Sequence, residues 1–213
     1  MQLGVALFIH ANLQPYVVAY FFDNHAYQGR LSNFFPTFLV YAFCVLGLLI
    51  GLPLGKRVLE PKVFTTGELP KTQDPRYVYL FGSFFASLCV LLASFLPSSH
   101  FWLYAVIMGL AGGFFSGVAY QAPMVASQLF FPDWKSGINN WLMVGLAVGI
   151  VTYSCLTAVW ATTDCDDTTD ACEPNLTRLL RYLAFCMFGH SALATILLSM
   201  PHQHLNVEDM SQL

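Results

Sequence analysis

The chain has 213 residues, of which 56% are hydrophobic and only 10% charged, and its net charge is -3. A soluble domain carries about 25% charged residues, so this composition excludes an ordinary water-soluble globule and describes a chain solvated mainly by lipid. The charges gather in a few loops and no strongly basic tract is present, which excludes nucleic acid as an expected partner.

Six apolar segments are long enough to cross a bilayer: 3–22, 34–54, 77–96, 101–131, 137–160 and 179–200. A span needs about 20 mainly apolar residues. The prediction is an all-α, polytopic membrane domain over 1–200, followed by a polar tail over 201–213. The first segment differs from a signal peptide. It has no basic residue before the apolar run, and His10, Asn12, Gln14 and Pro15 interrupt it. It is therefore expected to stay. In this span Asn12, Tyr16 and Tyr20 recur at i, i+4 and i+8 and share a helix face.

The second and third spans enclose loop 55–76, which carries Lys56, Arg57, Lys62, Lys71 and Arg76. The fourth span is the longest and is expected to tilt or to end in the interface. Gly109, Gly113 and Gly117 recur in it every four residues, and Gly145 and Gly149 do the same in the fifth. Lipid gives helices no hydrophobic reason to associate, so close backbone approach must hold them together. These five glycines are expected to be helix-packing positions. Gln121 continues the Gly113 and Gly117 face, with Tyr120 beside it. Asp133-Trp134-Lys135 forms the short turn to the fifth span and reads equally as a gating contact or as a solvated turn with an interfacial tryptophan.

Loop 161–178 is acidic and contains Cys165, Cys172 and the acceptor sequon Asn175-Leu176-Thr177. A disulfide and glycosylation are allowed there if the loop faces an oxidising compartment. Lys and Arg number six on loops 55–76 and 132–136, against Arg30, Arg178 and Arg181 on the other side. The positive-inside bias puts both termini in the cytoplasm and loop 161–178 outside. A plasma or endomembrane location follows. Cys44, Cys89, Cys155 and Cys186 lie in apolar spans and read as small core residues.

The first and fourth spans resemble each other. Polar groups precede Pro15 and Pro123, and a Phe pair follows each proline after six to eight residues. A proline removes a backbone donor and frees a carbonyl. A matched pair of interrupted spans points to a binding site, while the plainer reading is a pair of kinks. Polar groups on a span face the protein interior or a water path. Tyr16, Tyr20, Tyr120, Asn12 and Gln121 are thus candidate substrate contacts, although Tyr20 reads equally as an interfacial belt residue. His10 and His190 read as hydrogen-bonded interior histidines. No metalloprotease, hydrolase-elbow or phosphate-loop motif is present, so neither catalysis nor a metal or other cofactor is expected.

Gly117-Val-Ala-Tyr120-Gln-Ala-Pro123, then Phe130-Phe131-Pro132, Gly137, Gly145 and Gly149 resemble spans four and five of the major facilitator superfamily. The nearest resemblance is to its oxalate/formate antiporter-like branch, related to the monocarboxylate transporters. Asn12-Leu-Gln-Pro15-Tyr16 with Tyr20 is similar to that branch's first span, and Gly47 to Arg57 lies where the superfamily has its loop between spans two and three. The resemblance implies half of a carrier, a three-plus-three helix repeat that needs a second six-span half or copy. It implies a small carboxylate or similar organic anion as substrate, moved by alternating access. It places cavity tyrosines at Tyr16, Tyr20 and Tyr120, with Tyr153 weaker. Two departures stand out: Gly51-Leu-Pro-Leu-Gly55-Lys-Arg57 lacks the usual acidic residue, and the family's anion-binding basic residues belong to a half that these six spans do not contain. The alternative is a non-transporting membrane subunit, a carrier half serving a structural or assembly role.

Overall fold

The computed structural model describes residues 13, 15–23, 34–59, 75–130, 135–162 and 176–197. All regular structure among them is helical. Helix α1 covers 15–23, its last turn Ala19–Asp23 being π-helical. Helix α2 is Phe34–Leu59 and α3 is Pro75–Ala93. Helix α4 joins Phe101–Tyr104, a π-helical stretch Ala105–Ala111 and Gly112–Phe130. Helix α5 is Lys135–Thr162 and α6 is Leu176–Leu197.

Five of these helices are long and apolar enough to cross a membrane: stretches Phe38–Leu59, Pro75–Ala93, Phe101–Ala126, Asn140–Trp160 and Leu176–Ile196. Most of the predicted first span lies outside the described residues, so six spans in a three-plus-three repeat remain an expectation. Helix α2 runs five residues beyond the predicted end at 54. The Gly47 to Arg57 stretch, placed by the resemblance at the loop between spans two and three, is helical. Lys56 and Arg57 sit in the last turn of α2, where long basic side chains snorkel to the interface while the backbone stays helical.

The centre of the fold is the α2–α4 contact. Gly47, Gly51 and Gly55 of α2 meet the backbone carbonyls of Leu110, Phe114 and Val118. Gly109, Gly113 and Gly117 of α4 meet those of Val40, Cys44 and Leu48 in return. Both sets step by four in the same direction, so the two helices run parallel, as two spans separated by one other span must. A Cβ at Gly109 would lie 2.7 Å from the Val40 carbonyl oxygen, and one at Gly117 3.1 Å from that of Leu48. Only glycine permits this approach, which brings Cα–H groups within reach of facing carbonyls over about 12 Å of each helix.

Helix α3 packs on α4 through Gly82, where a Cβ would come within 2.8 Å of the Phe115 carbonyl oxygen and 2.7 Å of the Ala119 nitrogen. Phe85 stacks on Phe115 at 5.1 Å. On its other side α3 meets α6, with Phe84 5.3 Å from Phe188 and the Arg181 guanidinium 4.9 Å above the Phe95 ring. The predicted interruption at Pro123 is absent. Helix α4 runs through Pro123 to Phe130. Ala119, whose carbonyl the proline leaves without its helical donor, is buried where Gly82 lets α3 close over the same turn. The irregular turn of α4 lies earlier, at Ala105–Ala111.

Candidate functional site

In α1 the stripe Leu13, Val17 and Phe21 enters the core. Tyr16 and Tyr20 lie beside it, half-buried against the same cluster. The Tyr20 hydroxyl donates to the Leu96 carbonyl oxygen at 2.9 Å. This bond ties the end of α1 to the turn between α3 and α4. It gives Tyr20 a structural duty beyond the two roles considered for it, cavity lining and interfacial anchoring. Phe21 fits between Phe101 and Tyr104, at ring distances of 5.6 and 5.1 Å. The π-helical turn of α1 thus meets α4 just before its own π-helical stretch, a geometry frequent where helices serve function.

Tyr120 and Gln121 are half-buried on α4. Gln121 lies beside Gly55 of α2, where an added Cβ would be 3.2 Å from the Gln121 Cβ. Since Phe21 touches Tyr104 and the helices run antiparallel, Tyr16 and Tyr120 stand about 16 Å apart along the bundle axis at 1.5 Å per residue. The expected contacts therefore occupy two levels, Tyr16 with Tyr20 near one end and Tyr120 with Gln121 toward the other. Asn12 lies outside the described residues, as do Cys165, Cys172 and Asn175. Tyr153 is buried in the main core cluster, which also contains Leu179, Leu183 and Met187 of α6.

Gly145 departs from the packing expectation, because a Cβ there would meet nothing within 4 Å among the described residues. It shares the spacing of the α4 glycines, but its helix has no neighbour at that face among the described residues. Gly149 is buried.

The buried hydroxyls of α3, α5 and α6 are committed locally. Ser87 donates to the Ser83 carbonyl at 2.8 Å, Thr157 to Tyr153 at 2.7 Å and Ser191 to Met187 at 2.7 Å. Such bonds satisfy a hydroxyl in lipid without a partner helix, and they remove these groups from the candidate contacts. Tyr104 is different: its side chain is fully buried and its hydroxyl has no hydrogen-bond partner among the described residues. Sequence reasoning passed over Tyr104, Gly47 and Gly82. The signal for Gly47, Gly51 and Gly55 was their four-residue spacing, obscured by ending the span at 54, before Gly55.

The arrangement offers hydroxyls, one amide and aromatic faces, a set that can hold a small organic solute by apolar contact and hydrogen bonds. The cations at the other level, Arg178 and Arg181, are exposed at the start of α6. Arg178 donates through Nε to the Tyr182 hydroxyl at 3.0 Å.

Five apolar, membrane-length helices, three of them packed together through glycine, make this an integral, multi-pass membrane protein. Among curated proteins, apicoplast pyruvate carrier 1 of Toxoplasma gondii is similar, 28% identical over 114 residues that cover 54% of this chain. The matched region spans about a fifth, 19%, of that carrier's length. No family model matches the chain. No solved structure matches it either.

Proposed function

We propose that the chain is part of a secondary carrier that moves a small organic acid, a monocarboxylate of the pyruvate type, across a membrane. The observation that carries this reading is the similarity to the pyruvate carrier over 114 residues, in a chain whose helices are apolar and membrane-length. The carrier is of the major facilitator type, this chain supplies its first half, and alternating access between two halves opens the path to each side in turn. The sequence resemblance and the parallel α2–α4 pair support that architecture.

Tyr120 and Gln121 are the substrate contacts best placed for the role, being half-buried on the helix that holds the glycine interlock. Tyr16 contributes from the other level. The substrate's charge is met by a basic group from the second half or copy. Both termini face the cytoplasm, by the distribution of Lys and Arg.

The test is uptake of labelled pyruvate by vesicles containing the protein purified at its native size, together with any chain that co-purifies. Saturable uptake above that of protein-free vesicles is expected. Uptake equal to the protein-free background, with correctly inserted protein, sinks the carrier reading and leaves the non-transporting subunit.

A further inference from the structure

A second feature lies on an exposed, apolar side of the bundle. The last two turns of α2, the first two turns of α3 and the middle of α4 enclose a crevice of about 330 Å³. Its walls include Leu54, Val58, Tyr77, Phe81, Phe114 and Val118, and they are almost wholly apolar. The crevice opens outward, since Leu54, Val58, Tyr77 and Phe81 are all exposed, Tyr77 at 71%. It has the size of a small ligand pocket, for which about 300 Å³ is the lower bound.

Charge gathers at the same end. Arg57 follows Leu54 by three positions and adjoins Val58, so it stands on the crevice side of α2. An apolar slot with a tyrosine at its mouth and Arg57 beside it matches a lipid with an acyl chain and an anionic headgroup.

We propose that this crevice binds one anionic phospholipid from the leaflet at the basic end. One acyl chain lies along Val58, Phe81 and Phe114, and the headgroup phosphate faces Arg57. A zwitterionic lipid fills the slot but gains less from Arg57, a cation near a membrane surface contributing roughly a fivefold preference for negative charge. The proposal stands apart from the transport reading and survives its failure.

The test is native mass spectrometry of the purified full-length protein, titrated with phosphatidylserine or with phosphatidylcholine of matching chains. The expected result is one tightly retained phosphatidylserine, bound at least fivefold better than phosphatidylcholine. Arg57→Gln should lower that preference several-fold and leave phosphatidylcholine binding unchanged. Val58→Trp, which fills the slot from a lipid-exposed position, should lower binding of both lipids while the protein keeps its wild-type elution profile. Equal binding of the two lipids overturns the proposal. So does unchanged phosphatidylserine binding in Val58→Trp, or a dimer mass that Val58→Trp abolishes, which would make the crevice a contact between copies.

Discussion

Helices α4 and α5 both carry glycines at a spacing of four, yet the chain uses them differently. The α4 glycines lie on the backbone of α2, and three α2 glycines answer them. Gly145 of α5 meets nothing within 4 Å among the described residues, and only 17% of the α5 span is buried, against 56% for α4. Spacing alone states that a helix is able to pack closely. Whether it does depends on a partner with its own gap at the same level. Helices α2 and α4 form the frame of this domain, and α5 is the least buried of the five described spans.

The sharpest way to break that comparison is Gly113→Leu. Its side chain would fall on the Cys44 backbone, which cannot move as a flexible side chain does. Overpacking costs about 1–3 kcal/mol even in a yielding core, so loss of most monodisperse protein is expected on size-exclusion chromatography. Gly145→Leu is the matched control and should change thermal stability by less than about 0.5 kcal/mol. If the two substitutions do equal damage, the contrast between α4 and α5 is wrong.

Two tyrosines at one end of the bundle sharpen the picture with smaller effects. Tyr20→Phe removes the bond to the Leu96 carbonyl and should lower stability by about 0.5–1.5 kcal/mol. Tyr104→Phe removes a hydroxyl that is buried without a partner among the described residues. It should leave stability unchanged or raise it by about 1 kcal/mol. Thermal unfolding in one detergent decides both. A larger loss in Tyr104→Phe than in Tyr20→Phe would mean that Tyr104 has a polar partner in the native membrane.

Much of the fold was legible because apolar runs of span length have few other uses. The predicted 34–54, 77–96, 101–131, 137–160 and 179–200 correspond to five helices, displaced by a few residues at their ends. The end of α2 was missed because Lys56 and Arg57 resemble a loop boundary, while a helix carries such side chains easily at the interface. Pro123 promised a break, yet the helix continues through it to Phe130. The candidate site was less legible. The face shared by Tyr16 and Tyr20 follows from helical periodicity. The Tyr20 bond to Leu96 joins residues 76 positions apart, and no local pattern announces it. The separation of Tyr16 from Tyr120 likewise depends on which turn of α1 meets which turn of α4.

The central claim is that this domain carries a small organic acid along a path beside Tyr120. Its most direct test is labelled-pyruvate uptake by vesicles containing the wild-type, Tyr120→Phe or Tyr120→Ala protein at equal membrane abundance. Tyr120→Ala should lower uptake about tenfold, the effect of losing roughly 1.4 kcal/mol of contact, and Tyr120→Phe should fall between it and the wild type. Uptake by Tyr120→Ala equal to that of the wild type would contradict the claim.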